Sequence, residues 1–253
     1  MFDLTGKTAL ITGGSRGIGK GIARGMASRG ADIVIAARDE ERMRGTAGEL
    51  EQKFNIKAAC VKVDVQSEAQ VKNMVAQTLD VFGGIDILVN NAGIVIPKMP
   101  QDMTADEWDS VIDINLKSAF LCSKEVYPIM KARGGGKIIC IGSMYSIFGG
   151  AISASYGASK GGVIQLMKSL AVAWAPDNIQ VNAILPGWIA TDMIAQAGEA
   201  LPNAAEWILS RTPMGRMGEI DDLSGTAVFL ASRASNFVTG VGIPVDGGWA
   251  VMA

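Results

Sequence analysis

Short apolar runs alternate with longer segments of helical periodicity along almost the whole chain, and this alternation limits the possible folds most strongly. The runs are only a few residues long and rich in β-branched and small apolar side chains, which is typical of strands buried on both faces. Strands separated by helices predict βαβ units, whose strands are parallel. The predicted strands are Thr8–Thr12, Asp32–Ala37, 58–63, 85–89, 137–141, 180–184 and Gly242–Val245.

The intervening helices complete the pattern, and no Pro/Ser-rich linker divides the chain. We therefore predict an α/β fold, a Rossmann-like doubly wound parallel sheet with helices on both faces, in one domain over residues 1–253. Residues 188–217 interrupt the rhythm, and we expect them to form a lid beside a substrate site. The predicted helices are 17–29, Glu40–Phe54, Glu68–Phe82, 105–131 and Ala154–Trp174.

Composition excludes several classes of protein. The 253 residues carry a net charge of −2, so no basic field favours nucleic acid as a partner. No apolar run reaches the roughly 20 residues that span a bilayer, so we expect no membrane association. The N-terminus lacks the pattern of a signal peptide, from which we expect a cytoplasmic location.

Histidine is absent from the chain, which excludes a histidine general base, a Ser-His-Asp triad and a histidine-ligated metal. The three cysteines, Cys60, Cys122 and Cys140, lie far apart in the sequence and form no CxxC pair. We therefore expect inert thiols and no metal site.

A glycine-rich loop follows the first predicted strand and opens the first predicted helix. It has the sequence Thr12-Gly-Gly-Ser-Arg-Gly-Ile-Gly19, a GxxxGxG spacing. Gly13, Gly17 and Gly19 permit a tight turn and let a pyrophosphate approach the backbone, where the helix N-terminus supplies free N–H groups. The motif predicts a dinucleotide site, and the alternative is an ordinary glycine turn.

The end of the second strand decides between the two nicotinamide dinucleotides. An acidic residue there binds the ribose 2′-hydroxyl of NAD, whereas an arginine suits the 2′-phosphate of NADP. Here the strand ends in Ala37 and Arg38, so the sequence predicts NADP(H) over NAD(H), with Arg16 near the same phosphate. The alternative is that Arg38 is a solvated charge paired with Asp39 or Glu41.

Tyrosine is the remaining candidate for the acid and base of carbonyl chemistry. Transfer of a hydride to a ketone needs a proton donor at the oxygen, and a tyrosine can serve when a cation lowers its pKa from about 10. Tyr156 and Lys160 stand one helical turn apart on the same face of a predicted helix. Ser143 ends the fifth predicted strand, where its hydroxyl would hold the substrate oxygen.

Together these motifs resemble the short-chain dehydrogenase/reductase family over nearly the whole chain. The resemblance implies an enzyme that interconverts a secondary alcohol and a ketone, with Tyr156 as the acid/base and Ser143 orienting the substrate oxygen. It also implies that Lys160 lowers the tyrosine pKa and binds the ribose. Asn115 would hold a water of the proton relay from a break in the long helix 105–131. The matching segments are the glycine loop, Asp64-Val65, Asn90-Asn91-Ala92-Gly93, Asn115, Ser143, Tyr156-Gly-Ala-Ser-Lys160, Pro186-Gly187 and Thr191.

The same resemblance implies the cofactor contacts and the assembly. Asp64 and Val65 would meet the adenine, and Ile189 and Thr191 the carboxamide. A homotetramer is implied as well, with the 105–131 and Ala154–Trp174 helices at one interface and the C-terminal strands at another. The expected cofactor residues are Gly13, Ser15, Arg16, Gly17, Ile18, Gly19, Arg38, Asp64, Val65, Asn91, Ala92, Gly93, Tyr156, Lys160, Pro186, Gly187, Ile189 and Thr191, with Asn90 beside them.

The substrate is a small carbonyl or alcohol compound whose identity stays open. The segments KIICIGSMYSIFGG and VDGGW resemble sugar-acid and polyol dehydrogenases of the family, and in part its 3-oxoacyl-carrier-protein reductases. The lid segment 188–217 is rich in apolar side chains. An apolar lid suits a bulky cyclic or aromatic ketone better than a polyhydroxy acid. The alternative is that these side chains only pack the lid onto the body of the protein. The alternatives are a 3-oxoacyl-carrier-protein reductase and a non-catalytic dinucleotide sensor. The expected pocket residues are Ser143, Tyr145, Phe148, Trp188, Met193 and Trp207.

Overall fold

A seven-stranded, all-parallel sheet forms the centre of the molecule, in a computed structural model that describes residues 1–191 and 204–252. The strand order is β3-β2-β1-β4-β5-β6-β7, so the chain reverses its direction of winding between β1 and β4. This reversal opens a crevice at the carboxyl ends of the strands, where ligands bind in sheets of this kind. The strands are β1 Thr8–Thr12, β2 Asp32–Ala37, β3 Ala58–Lys62, β4 Ile87–Asn90, β5 Gly136–Ile141, β6 Ile179–Pro186 and β7 Gly242–Val245.

Helices cover both faces of the sheet, which confirms the predicted fold class. Alternate residues of each strand face opposite cores, so that Leu10 of β1 packs on one side and its neighbour Ile11 on the other. The first core packs against α3, α5 and α6, and the second against α1, α2 and α8. The helices are α1 Gly17–Ala27, α2 Glu40–Phe54, α3 Glu68–Phe82, α4 Ala105–Ile112, α5 Ser118–Ala132, α6 Ala154–Trp174, α7 Ala204–Ser210 and α8 Ser224–Ala231.

The long helix predicted over 105–131 is divided into α4 and α5, with the interruption at the break expected around Asn115. A π-helical turn at Asp113–Lys117 separates the two. A capping box of Thr104 and Glu107 opens α4. A wide turn inside a helix inserts an extra residue and is frequent at functional sites. Here it carries Asn115.

Other boundaries differ from the predictions only at element ends. The fourth strand begins at Ile87 rather than at residue 85, and β6 continues to Pro186 at the rim of the crevice. The first helix ends at Ala27 instead of residue 29. Of the segment 188–217 that we predicted as a lid, residues 192–203 and thus Met193 lie outside the described residues. No helix among the described residues is long and apolar enough to cross a membrane.

Candidate functional site

A cleft of about 1070 Å³ lies at the carboxyl edge of the sheet. Its walls come largely from the segments that follow the six strands β1 to β6, so residues distant in sequence converge there. Every predicted cofactor residue lines this cleft except Gly19 and Asn90. The prediction of one shared site is therefore supported by geometry, although the role of each residue remains a prediction.

The glycine loop between β1 and α1 is shaped by close backbone packing. Gly13 and Gly17 have φ angles of 65° and 52°, which few other residues adopt readily. A Cβ on Gly19 would collide with the Gly13 carbonyl oxygen and lie 2.5 Å from the Asn91 amide nitrogen. That amide donates hydrogen bonds to Thr12 O at 2.9 Å and Gly13 O at 3.0 Å. Through these hydrogen bonds Asn91 holds the glycine loop in place, which is a structural role.

The N-terminus of α1 is suited to an anion. Its N-cap residue, Arg16, makes no side-chain capping hydrogen bond, and the first turn contains no acidic residue. The first N–H groups of a helix have no partner within the helix and carry a partial positive charge. Together with the glycine cradle, this arrangement fits the pyrophosphate of a dinucleotide.

Arg38 lies at the end of β2, exposed on the wall of the cleft. Its acidic neighbours are engaged elsewhere: Asp39 caps α2 by accepting from Arg42 N at 3.1 Å, and its carboxylate pairs with the Arg42 side chain. Within residues 1–191 and 204–252, Arg38 takes part in none of the ion pairs. The alternative that Arg38 is neutralised by Asp39 or Glu41 therefore finds no support.

A Ser–Tyr hydroxyl pair stands on the opposite wall. Ser143 precedes a short 3₁₀ turn, where its Oγ accepts from Tyr145 N at 3.2 Å. The Tyr156 side chain is hydrogen-bonded to Ser143. Ser146, which the sequence analysis missed, accepts from Ser143 N at 3.1 Å and donates to Lys160 O at 2.9 Å, so it holds the strand end against α6. The structure thus brings the two predicted hydroxyls together.

Burial governs the ionisation of the tyrosine and of its lysine neighbour. It raises the pKa of Tyr156 above its usual value, and the hydrogen bond with Ser143 opposes this only in part. Burial also lowers the pKa of Lys160 to about 8. The lysine Nζ lies 5.7 Å from the centre of the Tyr156 ring and donates to Ile141 O at 2.8 Å. In the protein alone, burial therefore raises the pKa of Tyr156, opposite to the lowering expected from Lys160.

Replacing Lys160 with methionine is expected to stabilise the fold at pH 7 by about 1–2 kcal/mol. The buried lysine costs about 3 kcal/mol there because its pKa is about 8 instead of 10.5, and one hydrogen bond of about 1 kcal/mol is lost. Between pH 8 and 10.5 the unfolded state binds more protons than the folded state. Wild-type stability therefore rises with pH relative to the variant, and the gain shrinks.

The measurement is urea unfolding of both proteins from pH 7 to pH 10. Lys168→Met, an exposed position on the same helix, serves as control and should show no pH-dependent difference. A destabilised Lys160→Met variant at pH 7, or a gain that does not change with pH, would contradict the assigned burial cost.

Asn115 is buried in the π-helical turn and links two elements of the site. Its Oδ1 accepts from Ile94 N at 2.8 Å, while its Nδ2 donates to Ile94 O at 3.0 Å and to Ser159 Oγ at 2.9 Å. Both amide protons are thus used by the protein. The observed role of this side chain is to hold the loop after β4 against α6, and the predicted relay water would need another atom of Asn115.

Asn90 does not face the cleft, unlike its three successors in the motif. Its Nδ2 donates to Ser123 Oγ at 2.9 Å inside the core between β4 and α5. The expectation that it lines the adenosine side is wrong, because a strand points alternate side chains to opposite faces. Ala92 and Gly93 line the cleft as predicted.

An aromatic cluster borders the substrate end of the cleft. Tyr145 packs edge-on against Tyr156 at 6.2 Å and against Trp188 at 6.3 Å, and both Tyr145 and Trp188 line the cleft. Phe148 and Trp207, also predicted for the pocket, do not line the cleft and instead pack on Trp249, with ring centres 5.3 and 6.5 Å away. Residues that line the cleft but were not predicted include Ile94, Val95, Pro97, Ile152, Ser153, Ile208, Met217 and Trp249.

Comparison with known proteins gives consistent relatives over the full length. A family model described as enoyl-(acyl carrier protein) reductase matches residues 13–250. The chain is 43% identical over 248 residues to 2-dehydro-3-deoxy-D-gluconate 5-dehydrogenase of Bacillus subtilis, covering 98% of the chain and 96% of that protein. It is 40% identical over 248 residues to the 3-oxoacyl-[acyl-carrier-protein] reductase of Chlamydia muridarum, covering 98% of each.

The chain is also similar in structure to a solved protein over its full length. The gluconate 5-dehydrogenase of Burkholderia cenocepacia, in complex with NADP and tartrate, superposes with a TM-score of 0.94 at 40% identity, covering 100% of this chain and 98% of that one. Hydride exchange between a dinucleotide and a carbinol carbon is the chemistry that such a cleft supports, which defines an oxidoreductase acting on CH–OH groups. The chain belongs to the short-chain dehydrogenase/reductase family.

Proposed function

We propose that the protein is an NADP(H)-dependent dehydrogenase that interconverts a secondary hydroxyl and a ketone on a small sugar-acid-like molecule. The observation that carries this proposal is the hydrogen-bonded pair of Ser143 and Tyr156 on a cleft whose other wall presents Arg38. Relatives named for gluconate and 2-dehydro-3-deoxygluconate support the substrate class. The structure of the Burkholderia cenocepacia enzyme, which contains NADP and tartrate, supports NADP(H) as the cofactor and a carboxylate-bearing molecule as the ligand.

The chain's own residues have separate tasks in the reaction. When bound, the nicotinamide supplies or accepts the hydride. The glycine loop and the N-terminus of α1 hold the pyrophosphate, and Arg38 holds the 2′-phosphate. Ser143 orients the substrate oxygen, to which Tyr156 gives its proton in the reducing direction and from which it takes the proton in the oxidising direction. Because its pKa is raised, Tyr156 stays protonated at neutral pH until the proton moves to the carbonyl oxygen of the substrate.

Purified protein tests the proposal directly. Reduction of NADP⁺ and of NAD⁺ is followed with D-gluconate and other hydroxy acids, and oxidation of NADPH with a panel of keto acids and cyclic ketones. We expect turnover with NADP(H) and at least one member of the panel. A protein that binds NADPH tightly yet turns over no carbonyl or alcohol compound would support the non-catalytic sensor instead.

A 3-oxoacyl-carrier-protein reductase is the second candidate, favoured by the 40% identical relative. Such an enzyme needs basic residues near the cleft for an acidic carrier protein. Lys98, Lys131 and Arg133 are the candidates, but each is paired with a carboxylate, at 2.8, 3.1 and 3.6 Å. We therefore place this activity second, and turnover of a 3-oxoacyl thioester above that of all keto acids would reverse the order.

A homotetramer in the cytoplasm completes the proposal. The three cysteines are free thiols, as a reducing compartment requires. Large apolar side chains are exposed on the helices that the family resemblance places at one interface, namely Phe120 on α5 and Val172 on α6. Close to β7, Phe237 is fully exposed. Burial of these side chains between subunits would remove apolar surface from water.

Phe120→Glu combined with Val172→Glu is expected to convert the tetramer into a smaller species, because a buried unpaired carboxylate is strongly unfavourable. Size-exclusion chromatography with light scattering measures the mass. Val81→Glu, an exposed apolar position on α3, is the control and should leave the mass unchanged. A tetramer that survives the double substitution, or a monomeric wild type, would contradict the assignment of this interface.

A further inference from the structure

Arg211 follows α7 and packs against the aromatic cluster of the cleft. Its guanidinium carbon lies 4.9 Å from the ring centre of Trp249 and 5.8 Å from that of Trp207. Two indole rings in this position hold a guanidinium by cation–π attraction and leave its edge, with the N–H donors, free to bind. Trp249 is 95% buried and lines the cleft, so the arginine is attached to the cleft wall itself.

Among the described residues, no carboxylate neutralises this cation. In the part of the chain that the structure describes, Arg211 forms no ion pair and no side-chain hydrogen bond, although it is partly buried. The neighbouring Arg216 is different, since it pairs with Asp222 at 2.7 Å. Lys98, on the loop after β4, pairs with Glu107 at 2.8 Å. A partly buried guanidinium without an acidic partner is uncommon, because its desolvation is then not offset.

A second unsatisfied donor lies beside it. The indole Nε1 of Trp249 is buried and has no hydrogen-bond partner within residues 1–191 and 204–252. Buried donors are nearly always paired in native proteins, and one that is not calls for an explanation such as a ligand. Trp249 lines the cleft and holds the Arg211 guanidinium against its ring. Among the described residues neither the indole N–H nor the guanidinium has a partner, a combination that suits an oxyanion.

The other side chains on this wall favour Arg211 and Trp249 as the place where a polar end of the substrate binds. The side chains between Tyr156 and Trp249 are mostly apolar, including Trp188, Ile152 and Met217. The hydroxyl of Tyr145 is already hydrogen-bonded to Ser153. A polar group of the substrate beyond the reacting carbon therefore has few other partners.

We propose that Arg211 and the Trp249 N–H bind the carboxylate of the substrate. This assignment rests on the proposed function and makes the enzyme selective for hydroxy acids and keto acids over neutral analogues. Arg211 donates two N–H groups to the carboxylate, and the indole N–H donates to the same group. The competing role is purely structural, in which Arg211 only fastens α7 to Trp249.

Two matched probes separate these roles. D-Gluconate and sorbitol carry the same chain of hydroxyls and differ in a carboxylate against a CH₂OH group. Binding of each to the protein saturated with NADP⁺ is measured by quenching of tryptophan fluorescence, and kcat/KM is measured where turnover occurs. We expect the wild type to prefer gluconate at least about tenfold, the usual effect of one charge-assisted hydrogen bond.

Arg211→Met keeps the apolar stem of the side chain and removes its charge, and it should collapse the gluconate-to-sorbitol ratio to about one. Arg211→Lys should restore part of the ratio, and Trp249→Phe should lower it while keeping an aromatic ring. Arg216→Met is the control from the same segment and should leave the ratio unchanged. A structural fastener would change the melting temperature and both probes by the same factor, so that the ratio would not move.

The inference is overturned by a wild type that binds no acid more tightly than its alcohol analogue, or by an Arg211→Met variant that retains the wild-type ratio. Either result leaves the proposed oxidoreductase activity standing if a neutral cyclic ketone is still reduced by NADPH. Failure of the proposed function would show differently, as the absence of turnover with every carbonyl and alcohol compound despite NADPH binding.

Discussion

Tyr156→Phe is expected to lower kcat at least about a hundredfold, the usual scale for a positioned acid or base. The substitution removes one oxygen atom and keeps the ring that packs on Tyr145 at 6.2 Å. Ser143 would still hold the substrate oxygen, but no side chain would deliver a proton to it. The chain contains no histidine that could take over the proton transfer.

Two measurements separate this effect from damage to the fold. NADPH binding, followed by fluorescence titration, should stay within about threefold of wild type, since the phenol hydroxyl adds little to cofactor affinity. Tyr127→Phe is the matched control. The Tyr127 hydroxyl, on the outer surface of α5, donates a hydrogen bond to Asp177, and its removal should leave kcat unchanged. A Tyr156→Phe enzyme within a few-fold of the parent rate would refute the role of proton donor.

Arg38→Asp is expected to change the ratio of kcat/KM for NADPH over NADH by about a hundredfold or more in favour of NADH. The wild-type guanidinium offers paired N–H donors to a 2′-phosphate, each worth about 1.5–3 kcal/mol. The aspartate both removes them and repels the phosphate, while its carboxylate accepts from the 2′-hydroxyl of NADH. Arg38 is exposed and forms no ion pair with the residues that the structure describes, so the fold should tolerate the change.

Steady-state kinetics with both dinucleotides measure this ratio. Arg44→Asp, a charge reversal at an exposed position one turn into α2, controls for long-range electrostatics and should shift the ratio far less. If the ratio does not change in Arg38→Asp, the 2′-phosphate is held by other groups, with Arg16 and Arg42 on the same wall as the first candidates.

Local sequence patterns were sufficient for the sheet and most helices. Strands such as Asp32–Ala37 are continuous apolar runs, and α2 has an N-capping Asp39, so their bounds follow from neighbours in the chain. The apolar spacing continues through Asp113–Lys117 and does not indicate the π-helical turn, so the break expected at Asn115 came from the family resemblance alone. Its cause is a distant contact, the bonding of Asn115 to Ile94.

The candidate site was likewise predictable from the sequence only in part. Motif residues such as Tyr156 and Lys160 were found because their chemistry and spacing are visible in the sequence. The aromatic wall was found only in part, since Trp249 comes from the C-terminal segment and meets Trp207 only after folding. Asn90 was misplaced because it differs from Asn91 only in the face of the strand to which it points.

The wide turn between α4 and α5 makes the length of this region unusually strict. Each residue of an α-helix advances the chain by about 100°, so deleting one here would rotate α5 by that angle relative to α4. Either Val126 and Met130 would swing off the sheet, or Asn115 would lose Ile94. A shortened helix would have a more regular backbone and a defective site. Unlike a surface loop, this stretch can therefore accept substitutions but neither a gain nor a loss of a single residue.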